Sequence, residues 1–183
     1  MDFDAIVESF AATAAEFSRW LERPPGTTQQ EHLIATQLVS RLVAGAVQLP
    51  AVDESYLPTE PCVPDVGEDL VTPVRERPRS FPLQYYYEIF HCLASEPEEP
   101  CTGDLTDDLG DIYNDVKGGL LAYERGQVPL AVWHWRFTFG VHWGRHATSG
   151  LRAVRVRSRL MALRRSRRTS RGVSRCCIMR SAP

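Results

Sequence analysis

The residues with the clearest chemical potential are two histidines and a series of aspartates on neighbouring predicted helices. His142 and His146 are four residues apart, so their rings project to the same side of a helix. Histidines at i and i+4 that face carboxylates are one way to build a metal site inside a helical bundle. The aspartates recur every three or four positions and form one stripe: Asp104, Asp108, Asp111 and Asp115.

Four of these residues are candidate ligands of a divalent metal ion. In an antiparallel hairpin with its turn near Gln127, residues equidistant from the turn lie at similar heights. This places Asp108 near the level of His146, and Asp111 or Ile112 near the level of His142. A bound ion could activate water for hydrolysis. The Glu-rich pattern of di-metal bundles and His-Glu-x-x-His are missing. Two alternatives stay open: plain structural hydrogen bonding, which is the commoner use of such residues, and a site for a small ligand or partner.

Two arginines and two tryptophans on the histidine-bearing helix complete the candidate polar site. Arg136 and Arg145 are expected ion-pair partners for the aspartates, and Trp135 and Trp143 are expected to surround the imidazoles. The sequence contains no glycine-rich phosphate loop, no Gly-x-Ser-x-Gly and no Cys-x-x-Cys. We therefore predict no organic cofactor, and a divalent metal is the one inorganic candidate.

Hydrophobic residues that recur every three or four positions predict the helices that position this site. No segment of comparable length has a strand period, so we predict an all-α fold, an antiparallel bundle of about five helices. Asp104 is expected at the start of the fourth helix, and Gly126 and Pro129 mark the turn before the fifth. The fifth is apolar almost all round, so we predict that it is buried, with Trp133 and Phe137 in the core. The predicted helices cover residues 3–21, 28–49, 86–93, 104–123 and 129–143.

A proline-rich segment interrupts the helices. Residues 50–82 contain seven prolines in 33 positions. Proline lacks the N–H that helices and sheets need, so we predict a long surface loop there. The whole chain has 183 residues, which suits one domain with an ordinary core. We place that domain at residues 1–150, with the loop inside it.

The charge is divided unevenly along the chain. All 23 acidic residues lie at or before Glu124, whereas residues 151–183 contain 11 arginines and no acid, which predicts a basic, disordered tail. Nucleic-acid binding is the usual role of such a tail, but this one has no aromatic residue to stack on bases, and we do not expect binding. Lys117 is the single lysine, as in a G+C-rich gene. Out-of-frame reading of such a gene gives Arg- and Ser-rich text, so we favour an out-of-frame or unselected extension over a tail that folds back onto the acidic body.

Location and partners are constrained only weakly. No stretch approaches the ~18 consecutive apolar residues of a membrane span, and the amino terminus is acidic rather than basic and apolar, so we predict a cytoplasmic protein that does not enter a membrane. Phe3, Phe10, Phe17 and Leu21 on the first helix exceed what one small core needs. A homodimer through that helix is therefore a hypothesis.

Three stretches carry a family resemblance. Residues 86–90 are YYEIF, residues 103–113 are GDLTDDLGDIY, and residues 131–147 contain AVWHWRF followed by HWGRHA. The sequence resembles the bacterial family known as domain of unknown function 5063, over roughly residues 3–151. The resemblance implies a small helical bacterial protein and supplies no activity. After Leu151 the chain departs from the family pattern, where a less basic helical ending is expected.

The function predicted from these patterns is that of a non-catalytic binding or protein-interaction module, whose partner is an unknown protein or small ligand. The enzyme alternative is a metal-dependent hydrolase that uses Asp108, Asp111, His142 and His146. The third alternative is nucleic-acid binding through the Arg-rich tail.

Overall fold

The fold is known from a computed structural model that describes residues 2–76, 84–89 and 98–155. These residues form a mostly helical bundle with one small two-stranded sheet, so the all-α prediction is confirmed. The fifth helix contains a π-helical turn and continues beyond it through residues 144–155. The helices are α1 Phe3–Glu22, α2 Thr28–Ala46, α3 Glu68–Glu76, α4 Leu105–Glu124 and α5 Val128–Thr138, with the π turn at Phe139–Trp143; the strands are β1 Tyr85–Glu88 and β2 Cys101–Asp104.

Local sequence signals explain where the site-bearing helices begin and end. Asp104 caps α4, because its carboxylate accepts a hydrogen bond from the Thr106 backbone N–H at 2.8 Å. Gly126 ends the helix with φ at 76°, a conformation that glycine adopts without strain. Pro129 then occupies the first turn of α5, where its missing N–H costs nothing. These starts and stops match the sequence prediction.

The hydrophobic core lies between α1, α2, α4 and α5, and α4 and α5 make the most extensive of these contacts. The helices approach closely because Gly119 has no side chain where the Trp135 indole lies. Trp135 also donates its indole N–H to the Val116 carbonyl oxygen at 2.9 Å, which satisfies its polar atom inside the core. The largest fully buried side chains include Trp135, Trp143, Tyr113, Phe10 and Phe17.

The predicted third helix at residues 86–93 is wrong over its described part. Residues 85–88 form β1, which pairs antiparallel with β2 so that Tyr86 lies opposite Gly103. Exposure alternates along β1, as expected of a strand with one covered face, and aromatic residues favour strands. Residues 90–93 lie outside the described part of the chain.

The predicted loop at residues 50–82 contains regular structure. A short 3₁₀ helix covers Glu54–Tyr56, and α3 covers Glu68–Glu76 with Pro73 inside it. Val74 is buried where α3 packs against α4, and this contact offsets the hydrogen bond that Pro73 cannot make. The prediction from proline content that this whole segment is a loop is therefore wrong. Residues 77–82 are not described.

The prediction that α5 is buried all round is also wrong. Trp135 faces the core, but Phe137 on the opposite side is 51% exposed and Val141 is 66% exposed. Trp133 stacks on Phe137, with ring centroids 5.1 Å apart and planes 4° apart. Trp133 is partly buried at the edge of the core, whereas Phe137 lies on the surface. The reason is that the other helices cover only one side of α5.

The burial of the α1 side chains removes the reason for expecting a homodimer through this helix. Phe10, Phe17 and Leu21 are all buried within the chain's own core, and Phe3 is the member of the set that is 58% exposed. The predicted domain end at Gly150 falls inside a helix, since residues 144–155 are helical and Val154 is buried.

Two further findings concern the rest of the chain. None of the helices in the described part has the length and apolar content that crossing a bilayer requires. Of the predicted disordered tail, residues 151–155 are helical instead, and the part from residue 156 onward lies outside the described residues.

Candidate functional site

A π-helical turn orients the histidine-bearing helix. Residues eight apart on a regular α-helix are rotated by about 80° from each other. Trp135 and Trp143 are nevertheless both fully buried, and the Trp143 indole N–H donates to the Trp135 carbonyl oxygen at 3.2 Å. The extra residue in the π turn cancels that rotation, and it turns His142 towards α4. Gly144 permits the turn, because a Cβ there would collide with the Phe139 carbonyl oxygen.

His146 is held by the buried carboxylate of Asp108. Its Nδ1 lies 2.9 Å from Asp108 Oδ1, and the Tyr86 hydroxyl donates to Asp108 Oδ2 at 2.5 Å. Both carboxylate oxygens are therefore engaged. Burial raises the pKa of the Asp108 carboxyl, although these two hydrogen bonds act to lower it. The hydrogen bond to Asp108 raises the pKa of His146, against the effect of burial.

Asp115 holds His142 in the same way. Asp115 lies one helical turn beyond Asp111, the aspartate expected beside His142, and is closer to the loop that joins α4 to α5. His142 Nδ1 lies 2.8 Å from Asp115 Oδ2, and the Asp115 side chain is mostly buried. The sequence placed Asp115 on the stripe of aspartates but did not select it, because counting residues from the turn assumes two regular helices. The neighbouring His134 contacts the Asp115 carbonyl oxygen at 3.0 Å, and burial lowers the pKa of His134.

Asp111 lies between the imidazoles and an arginine from α3. Its Oδ2 is 3.5 Å from His146 Nε2, and its Oδ1 accepts a hydrogen bond from the Arg75 guanidinium at 3.0 Å. The Arg75 stem crosses α4 at Gly110, where a Cβ would lie 2.6 Å from Arg75 Cγ. Arg75 is not among the predicted site residues, because the proline content of residues 50–82 predicts a loop there.

The result is a triad of side chains that could hold one metal ion. One ligand atom each from Asp111, His142 and His146 lies within 4.8 Å of the others, and the two rings meet edge to face with centroids 5.0 Å apart. Because each Nδ1 faces a carboxylate, Nε2 is the nitrogen left to bind a metal. Asp108, the fourth predicted ligand, instead supports His146. The metal assignment stays a prediction.

Three of the four flanking residues have other roles than those predicted. Arg136 donates to the Leu49 carbonyl oxygen at 2.5 Å rather than to an aspartate. Trp135 and Trp143 bond to backbone carbonyl oxygens inside the core, so they support the helix from beneath rather than surround the imidazoles. Arg145 is exposed, and its positive charge is a minor influence that acts to lower the pKa of His146.

The β1–β2 hairpin closes one side of the site. The Tyr86 ring lies across β2 at Gly103, where a Cβ would be 2.5 Å from the ring. Burial and the hydrogen bond to Asp108 raise the pKa of Tyr86, so the hydroxyl stays protonated and donates. Ser149 is hydrogen-bonded to Glu88, which ties the other end of β1 to the histidine-bearing helix.

Comparison with known proteins identifies the family. A family model described as a domain of unknown function, DUF5063, matches residues 1–157. The chain belongs to the DUF5063 family. This confirms the resemblance in the sequence, and the DUF5063 match extends past Gly150 to the end of the described helix.

A solved structure has the same fold as this DUF5063 chain. It is the crystal structure of protein BF1032 from Bacteroides fragilis, which aligns with a TM-score of 0.68 over 84% of this chain and 92% of that chain. The two sequences are 21% identical, so the similarity establishes the fold and no activity. No curated protein matches the chain.

Proposed function

We propose that this DUF5063 protein is a binding module that holds one divalent transition-metal ion on Asp111, His142 and His146. One observation supports this most: each of the three side chains has its own ionic partner behind it. Asp108 holds His146, Asp115 holds His142, and Arg75 holds Asp111.

Such outer partners have a known effect in metal sites. A carboxylate that accepts the Nδ1–H of a histidine fixes the tautomer and the ring orientation, and raises the basicity of Nε2. Two imidazole nitrogens and one carboxylate oxygen suit zinc, cobalt, nickel or ferrous iron rather than calcium or magnesium. Three protein ligands leave at least one position for water or an exogenous ligand.

Metal content tests the proposal directly. Purified full-length protein is incubated with Zn²⁺ or Co²⁺, passed through a desalting column and measured by elemental analysis and titration calorimetry. We expect about one equivalent of metal in the wild type and none in H142Q or H146Q. Asp115→Asn keeps the ligands but weakens the support of His142, so the affinity should fall about 10- to 100-fold.

Matched variants separate this site from adventitious binding. Asp107→Asn removes an exposed carboxylate from the same helix, and His134→Gln removes a histidine from the same side of α5; neither belongs to the triad. Both should bind metal as the wild type does. Wild-type protein without metal, or H142Q with as much metal as the wild type, would show that the triad is only a hydrogen-bonded structural cluster.

A metal-dependent hydrolase is the second candidate function. Support comes from the accessibility of the site: the His142 side chain is 43% exposed, so solvent reaches the position that the three ligands leave open. Water bound there would have a lowered pKa and could attack an ester. The test is zinc-dependent hydrolysis of p-nitrophenyl acetate or p-nitrophenyl phosphate. Turnover in the wild type that disappears in H142Q favours the hydrolase, and equal rates in both leave only binding.

The remaining sequence predictions stand as proposals. Cytoplasmic location, bacterial origin and the lack of nucleic-acid binding rest on the sequence alone.

A further inference from the structure

Arg75 brings spare hydrogen-bond donors to the edge of the triad. A guanidinium has five N–H donors, and Arg75 uses one on Asp111 Oδ1 at 3.0 Å. No other partner of its side chain occurs among residues 2–76, 84–89 and 98–155, and the side chain is 48% exposed. Four donors of this half-exposed side chain therefore lack a partner among the described residues, and the guanidinium lies beside the candidate metal position.

This arrangement depends on features built into two helices. Gly110 leaves room for the Arg75 stem to cross α4, since a Cβ would be 2.6 Å from Cγ and 3.1 Å from Nε. Val74, the preceding residue, is buried and anchors α3 against α4. The space at Gly110 and the buried side chain of Val74 thus fix the position of the guanidinium at Asp111.

We infer that the exogenous ligand of the proposed metal site is an oxyanion, a carboxylate or phosphate group held between the metal and Arg75; the inference rests on the proposed metal binding. Asp111 shows that the spacing suits such a group, because one of its oxygens meets Arg75 and the other faces His146 Nε2. A ligand carboxylate or phosphate beside it spans the same gap, with one oxygen on the metal and another on the guanidinium.

Charge favours an anion at this position. The ion and Arg75 carry three positive charges against the single carboxylate of Asp111. Asp108 and Asp115 bond to Nδ1 of the two rings, on the far side of the imidazoles from Nε2. They therefore lie behind the ligands rather than around the open position. Arginine's planar fork also matches the paired oxygens of both ligand classes.

Cobalt provides the test, because its visible absorption bands report changes in coordination. Full-length protein saturated with Co²⁺ is titrated with sodium acetate and, separately, with methylphosphonate. We expect at least one of these oxyanions to change the bands of the wild type. In Arg75→Ala its Kd should rise about tenfold or more, and Arg75→Lys should be intermediate, because lysine keeps the charge but not the fork.

The matched control is Arg41→Ala. Arg41 has a similar exposure, 51% against 48% for Arg75, and one carboxylate partner, Glu16, but it joins α2 to α1 instead of lying at the triad. It should bind the oxyanion as the wild type does. Binding of acetate alone or of methylphosphonate alone identifies the ligand as a carboxylate or a phosphate.

The two proposals fail differently. Co²⁺ affinity is measured first for every variant, and each anion titration is done at saturating Co²⁺. If the wild type binds no Co²⁺, the metal site itself is refuted. If it binds Co²⁺ but neither oxyanion changes the bands, or if Arg75→Ala binds the oxyanion as tightly as the wild type, only the oxyanion inference is wrong.

Discussion

Two adjacent glycines on α4 provide a sharp test of the helix packing on which the site depends. Gly118 and Gly119 are both buried, but their surroundings differ. A Cβ on Gly119 would overlap the Trp135 indole, with the Cδ1 atom at 2.5 Å. A Cβ on Gly118 would meet the tip of the Val63 side chain at 3.1 Å, which a small rotation relieves.

The expected cost of Gly119→Ala follows from these contacts. Overpacking a rigid, fully buried indole costs about 1–3 kcal/mol. Displacing the indole also breaks the bond between Trp135 Nε1 and the Val116 carbonyl oxygen and leaves both atoms buried, at a further cost of about 1–3 kcal/mol. Alanine recovers about 1 kcal/mol through its higher helix propensity. The net loss should be about 1–5 kcal/mol, or roughly 2–20 °C in Tm for a chain of this size.

Thermal and urea unfolding, followed by circular dichroism, measure this difference. Gly118→Ala should stay within about 1 kcal/mol of the wild type, because helix propensity offsets the small adjustment at Val63. If Gly119→Ala were as stable as the wild type, the close approach of α4 and α5 would be wrong. Equal losses in both variants would mean that the two positions have the same surroundings, which also contradicts the packing described above.

Three further predictions concern the π turn, the charge on the site and the end of the chain. Gly144→Ala should destabilise the fold by about 1–3 kcal/mol, because its Cβ would collide with the Phe139 carbonyl oxygen. Gly140→Ala in the same turn faces open space and should be neutral, and thermal unfolding distinguishes the two variants. Since the folded-state pKa of His146 is raised, its contribution to metal-free stability is fully present below about pH 6.5 and is lost as the pH rises through the folded value, with a slope of at most about 1.4 kcal/mol per pH unit. H146Q should lack this component in urea unfolding from pH 5.5 to 8.5. If the stability of H146Q had the same pH profile as that of the wild type, the charged pair would be contradicted. Truncation after residue 157 should leave stability and any nucleic-acid affinity unchanged, whereas truncation at Gly150 should lower Tm because it removes buried Val154. If truncation after residue 157 caused a salt-dependent loss of DNA binding, nucleic-acid binding would instead be the function of the tail.

The sequence was most informative where the signal is local. Helical periodicity, Asp104 as a cap and Gly126 at the turn were enough to predict α4 and α5 and their antiparallel arrangement. Counting residues from that turn also placed Asp108 beside His146, which lie 2.9 Å apart. These features depend on neighbouring residues in the chain, so a single sequence contains them.

The sequence was least informative where burial overrides local preference. Seven prolines indicated a loop, but packing of Val74 against α4 supports a helix that contains Pro73. The spacing of Tyr86, Ile89, Phe90 and Leu93 predicts a helix, but pairing with β2 makes residues 85–88 a strand. In both cases the deciding contact is with a segment remote in the chain.

Residue types and spacing alone were enough to select the aspartates and histidines and to bring them to facing helices, because helix periodicity and a short turn are local properties. Which oxygen meets which nitrogen depended on the tertiary structure. The π turn set the rotation of His142, α3 delivered Arg75 to Asp111, and the hairpin delivered Tyr86 to Asp108. Each of these follows from the packing of segments distant in sequence, where the gain from burying a side chain exceeds the preferences of its own neighbours.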